Sequence, residues 1–234
     1  MESIVNVLEM VGVLVGGVIA RLALLALGAA VLALPIALIV EAVKAGVRLR
    51  RRRLGLTPVD GLVWTPRVCY APGHTWVRRA GRKTLRVGLD DLAQRVLSFA
   101  DRIELPKVGA RVREGEAAMI VTCGGRRGEI RAPVDGIVTA VNKAVERDPS
   151  LIHRDPYARG WLYAVSPING GRGRLLRGDE ALAWLTGDRR RFAHFVEGAV
   201  GIAAADGGDL VAPPPSLLTD EQWSMMTRTF LLTG

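Results

Sequence analysis

Cysteine is scarce. Cys69 and Cys123 are the only two in 234 residues. No CxxC or CxxH spacing links them to anything, which excludes the familiar zinc frameworks and leaves reduced, small apolar side chains as the simplest reading in a cytoplasmic setting. Histidine is nearly as rare: His74, His153 and His194 stand apart, with no second ligand at helical spacing, so no metal site is expected. Lys and Arg together number 32, but only Lys44, Lys83, Lys107 and Lys143 are lysines. Aromatic residues make up 5% of the chain, and none interleaves with its longest arginine run, which argues against nucleic acid as a partner. No Ser-His-Asp order, paired-acid signature, P-loop or GxGxxG unit occurs, and an independent enzyme is not expected.

Charge is also missing from the front of the chain. Between Val11 and Val40 only Arg21 is charged, and a run of 19 uncharged, mostly apolar residues begins at Leu22 and ends at Val40. That length spans a hydrocarbon core. The leading MESIVNVLEM is acidic rather than basic and no small-x-small cleavage site follows, so a retained anchor is expected rather than a signal peptide. Lys44, Arg48, Arg50, Arg51, Arg52 and Arg53 follow the run, whereas the first twenty residues hold Glu2 and Glu9 and no Lys or Arg. By the positive-inside rule the chain crosses the inner (cytoplasmic) membrane once with its C-terminal part in the cytoplasm, and the Arg48 to Arg53 cluster meets anionic lipid.

Four segments are expected: an anchor with its basic run, 1–53; a turn-rich linker, 54–67; a β-rich domain, 68–169; and a helical extension, 170–234. Short alternating runs such as TWVRRA, TLRVGL, AAMIVTC, GIVTAVN and WLYAVSP, punctuated by Gly and Pro, predict a small sandwich or barrel. LDDLAQRVL places Leu92, Val96 and Leu97 on one face of a short helix. Beyond it, GDEALAWL and DRRRFAHFVEGAV predict two helices joined near Thr186 and Gly187, ADGGDL a turn, and TDEQWSMMTRTFLL a helix with a capping box at Thr219 and Gln222. The last helix carries Trp223, Met226 and Phe230 on one stripe, a candidate partner-binding face.

Between two apolar runs lies TCGGRRGEIRAP. Gly124 and Gly125 suit the positive φ of a tight turn, and Arg126 and Arg127 project from it as candidates for an anionic partner, or as a solvated pair. Cys123 sits beside this turn, where two nearby guanidinium groups would lower a thiol pKa; a redox role is one reading, and an inert thiol without a resolving partner is the usual one.

The segment 68–167 resembles the H protein of the glycine cleavage system. The words that carry the likeness are HTW at His74, ELPKVGARVREGE at Glu104, APVDGIVTAVN at Ala132 and DPSLIHRDPYARGWL at Asp148. The resemblance implies a mainly β (α+β) fold, a lipoyl-type hammerhead β-sandwich with short helices, here preceded by one transmembrane helix and followed by C-terminal helices. It also implies that His74, Trp76, Asp155, Tyr157 and Trp161 serve the fold. In the family, a hairpin lysine bears a lipoyl arm that carries an aminomethyl group. Counting without a gap from either flanking motif puts that position at Gly125, and none of the four lysines lies in the hairpin.

The function expected is therefore a membrane-anchored, non-lipoylated adaptor or accessory subunit that holds protein partners and binds no cofactor. The alternatives are a lipoyl-type carrier in glycine cleavage or a related route, a Cys123-based redox component, and a periplasmic adaptor.

Overall fold

The computed structural model describes residues 2–168, 170, 173–201, 205–206, 209–210 and 212–232. It divides into two compact units, 1–53 and 54–234. The first is a single helix, α1 (Glu2–Leu54), which continues through Pro35 and ends on the basic turn Arg51, Arg52 and Arg53. One stretch of it, Leu27–Leu54, is long and apolar enough to cross a membrane by length and composition, with a mean hydropathy of 2.0 over its most apolar part. It overlaps the run expected from sequence, Leu22 to Val40, from Leu27 onward and continues into the basic segment. Its leucines, valines and isoleucines are exposed from Val13 to Leu49.

The second unit begins at once with a hairpin, β1 (Thr57–Val59) and β2 (Leu62–Trp64). Leu62 and Trp64 are buried in the core, so 54–67 is a folded part of the unit and not the linker expected. Next come β3 (Cys69–Ala71), β4 (Thr75–Arg79), β5 (Leu85–Leu89), α2 (Asp91–Val96), β6 (Arg102–Glu104), β7 (Arg111–Val112), β8 (Ala117–Cys123), β9 (Arg126–Arg131) and β10 (Gly136–Val141). Two short helices, α3 (Lys143–Arg147) and α4 (Leu151–Arg154), lead to β11 (Trp161–Pro167). The chain then forms α5 (Gly178–Val200), a small hairpin of β12 (Ala205–Asp206) and β13 (Asp209–Leu210), and α6 (Asp220–Leu231). The expected boundary at residue 169 and the glycines of ADGGDL lie outside the described residues.

Six strands form one sheet in the order β3-β4-β5-β11-β10-β7, and β6-β8-β9 form a second. Alternation along β8 and β9 places Met119, Val121, Cys123 and Ile130 inside. Helix α2 is capped by Asp90, whose Oδ1 accepts from the backbone N–H groups of Leu92 and Ala93 at 2.9 Å each, and it buries Leu92, Ala93 and Val96. Gly88 marks a close approach: a Cβ there would lie 2.3 Å from the Trp76 ring. Tyr157 donates to the Val63 carbonyl at 2.8 Å and so ties the first hairpin to the segment before β11, the structural role expected of it.

Two helices were expected where α5 runs unbroken. Gly187 is absorbed mid-helix, and Asp188, which reads in the sequence as a cap, is buried and bonded to His74 and Arg191 instead. The helix ends at Gly201, with φ +69.

Candidate functional site

The β8–β9 ladder pairs Cys123 with Arg126, so Gly124 and Gly125 alone make the turn. Their φ values are +55 and +81, a geometry open to glycine at both positions and matched to the twist of a two-residue hairpin. The Gly124 N–H donates to Asp101, which holds the tip down. A Cβ at Gly125 would meet nothing within 4 Å, whereas one at Gly124 would touch Pro215 at 3.4 Å. The tip is thus open on the Gly125 side and covered by the C-terminal extension on the other.

Arg126 supplies that cover. Its Nε reaches Asp220 Oδ1 at 2.8 Å, and its two terminal nitrogens donate to the backbone carbonyls of Pro215 at 2.7 Å and Leu218 at 2.8 Å. These carbonyls belong to a 3-10 turn, Pro215–Leu217, and to the residue that follows it. The expectation that Arg126 offers a free cation to a partner is corrected: its donors are consumed within the chain. Arg127 remains at the surface, 63% exposed at its side chain, and lies 3.5 Å from Glu104.

Helix α6 begins with the expected capping box: Thr219 Oγ1 accepts from the Gln222 N–H while Gln222 Oε1 accepts from the Thr219 N–H. Its stripe is not a partner face. Trp223, Met226 and Phe230 are all buried, and Phe230 meets Phe192 and Phe195 of α5 edge-on at 5.4 and 6.4 Å between ring centroids. The stripe also lies over β9: a Cβ at Gly128 would meet Thr227 Cγ2 at 3.8 Å. The cause is that α5 and β9 present apolar surface of their own, which the stripe covers.

Cys123 is corrected as well. It is fully buried, its Sγ donates to the Leu97 carbonyl at 3.0 Å, and burial, reinforced by the charge of Asp101, pushes its thiol up to about 12. Arg126 and Arg127 point away to the partners named above, so neither stabilises a thiolate. A redox role for Cys123 is therefore not supported.

The densest chemistry elsewhere is around His74, at φ +60 in the β3–β4 turn. Nδ1 lies 2.8 Å from Asp90 Oδ2, Nε2 lies 3.2 Å from Asp188 Oδ2, and the ring stacks on Trp184 with centroids 4.6 Å apart. Burial disfavours the imidazolium, but the charge of Asp90 and the hydrogen bonds to Asp188 and Asp90 outweigh it and raise His74 to about 9. With the ring buried and both nitrogens donating to carboxylates, the cluster joins α5 to the sheet. Asp188 is the residue sequence reasoning missed; its place beside His74 spans 114 residues of chain. Among the described residues, no group of His, Cys, Asp or Glu is arranged to hold a metal.

A six-stranded and a three-stranded sheet, the latter ending in a two-residue hairpin, fit a lipoyl-type domain. The comparisons make it specific. The family model for the glycine cleavage H-protein matches residues 68–185, and the chain belongs to that family. The glycine cleavage system H protein of Mycobacterium avium (strain 104) is 43% identical over 100 residues, which cover 43% of this chain and 76% of that one. Its counterpart in Psychrobacter sp. (strain PRwf-1) is 37% identical over 100 residues, covering 43% and 79%. A crystal structure of a glycine cleavage system H protein from Mycobacterium marinum matches at 30% identity with a TM-score of 0.48, over 53% of this chain and 99% of that one. Residues 1–67 and 186–234, which include α1 and α6, lie outside the family match.

Proposed function

We propose that this chain is a membrane-anchored member of the H-protein family that carries no lipoyl arm and serves as an adaptor or accessory subunit for protein partners at the cytoplasmic face. One observation carries the reading. The hairpin that bears the family's cargo is closed by Gly124 and Gly125, and its first following side chain, Arg126, is spent on the chain's own extension. A lipoyl amide needs a nucleophilic ε-amine, and a permanently charged guanidinium does not supply one. The apolar length of α1 and its basic last turn support an anchor with the second unit on the cytoplasmic side.

Since Trp223, Met226, Phe230 and Arg126 are engaged internally, the partner surface lies elsewhere, with Arg127 the one member of the original set still facing solvent. The reading is tested by supplying the chain as the sole H component in a reconstituted glycine decarboxylation assay with lipoate ligase present. No carbon dioxide above the blank is expected, and turnover would establish a carrier instead. A reporter fused after Gly234 is expected to be active only in its cytoplasmic form; periplasmic activity would reverse the orientation.

A further inference from the structure

The hairpin β4–β5 is charged with one sign only. Arg78, Arg79, Arg82, Lys83 and Arg86 fall between Thr75 and Leu89, and no Asp or Glu does. The register places Arg78 directly opposite Arg86. Like charges in that position repel and weaken a sheet. Both guanidinium groups are held there over indoles, Arg78 at 5.4 Å from the Trp76 ring centre and Arg86 at 4.6 Å from that of Trp161. Burial and the neighbouring Arg86 charge lower the pKa of Arg78, and Asp155 is the acid whose charge acts in the other direction. Beyond this pair, Arg79, Arg82 and Lys83 crown an exposed tip, and among the described residues none of the three has an acidic partner. The β8–β9 hairpin differs in this respect: Arg127 has Glu104 and Arg126 has Asp220.

We propose that the β4–β5 hairpin is a docking surface for anionic lipid headgroups. Arg78 is engaged within the unit, its Nη1 donating to the Tyr157 carbonyl at 3.0 Å, but three exposed cations at the tip with half-buried Arg86 behind them suit a plane of many phosphates; a single small anion calls for donors converging in a concave site. The connection to the first unit favours the same ligand. Helix α1 ends at Leu54 and β1 starts at Thr57, so two residues separate the apolar helix from the folded unit. If α1 is embedded, as the proposed function holds, this short tether keeps the hairpin at high effective concentration near headgroups, and a contact too weak for a free domain becomes populated.

The test uses the full chain in lipid nanodiscs, either zwitterionic phosphatidylcholine or the same lipid with phosphatidylglycerol added, followed by amide hydrogen exchange of residues 79–84. In the anionic discs, exchange at the tip is expected to slow about tenfold, an effect lost at high salt and in the R79E/R82E/K83E variant. Retained protection at Val87 in that variant shows that the sheet is intact. Equal exchange in both discs, or equal slowing in zwitterionic discs supplied with inorganic phosphate, overturns the lipid surface while leaving the anchor in place. A chain that fails to enter either disc overturns both readings.

Discussion

Replacing Asp188 with Asn cuts the join between α5 and the sheet with the least change in shape. In the wild type, His74 is fully buried between Asp90 and Asp188 and is raised from 6.5 to about 9. A shift of that size corresponds to on the order of 3 kcal/mol of stability. Because the folded value exceeds the unfolded one, this contribution is complete below about pH 6.5 and fades as pH rises through about 9. Burial works against the charge of Asp188, but its hydrogen bonds from His74 and Arg191 prevail and hold its carboxyl below the usual range. That contribution is present above the ordinary carboxylate range and is lost as pH falls. From these two groups stability is therefore greatest on the mildly acidic side, between the ordinary carboxylate range and about pH 6.5, and declines as pH rises beyond it. Asp188→Asn keeps an acceptor for Nε2 but removes one of the two charges, which should cost on the order of 1 to 2 kcal/mol at pH 7 and flatten the decline between pH 7 and 9.5. Tryptophan fluorescence in urea reads this cleanly, since all five tryptophans lie beyond residue 53 and Trp184 stacks on His74. An unchanged pH profile in the variant, or a wild type that gains stability above pH 8, would refute the reasoning.

Arg126→Ala should release the Pro215 and Leu218 carbonyls and destabilise the unit by about 1 to 3 kcal/mol, most visibly as faster hydrogen exchange in α6. Asp220 adds little to that figure, because its side chain is 91% exposed. Cys123 should resist iodoacetamide at pH 8 in the folded chain and react only on unfolding; rapid native labelling would show that its burial is misjudged. Gly88→Ala should destabilise by roughly 2 kcal/mol or more, since the added methyl overlaps the Trp76 ring and the sheet must shift to admit it. A melting point within a degree of wild type would contradict that.

The hairpin was legible because its information is local: two adjacent glycines between alternating runs specify a tight turn wherever the rest of the chain goes. The α6 capping box was legible for the same reason, since its two residues are three apart. What faces the α6 stripe was not. An amphipathic helix reads alike whether it docks on its own core or on another protein, and Phe192 and Phe195, which meet Phe230 across the α5–α6 contact, gave no sign of it. Asp188 misled more directly. It follows Gly187 and looks like the start of a new helix, yet the group that selects it is His74, far away in sequence and adjacent only once the sheet is folded. The first hairpin was read as linker because three-residue strands leave too little pattern to see, although Leu62 and Trp64 complete the core.

The central claim is that the family's cargo position is vacant by chemistry. The direct measurement is the intact mass of the chain purified from its native cells under active lipoylation, with peptide mapping across residues 119–132 and around Lys107 and Lys143. The unmodified mass of the chain, with no lipoyl increment on any of these peptides, is expected. A lipoyl adduct on any of them would contradict the account and make the protein a carrier.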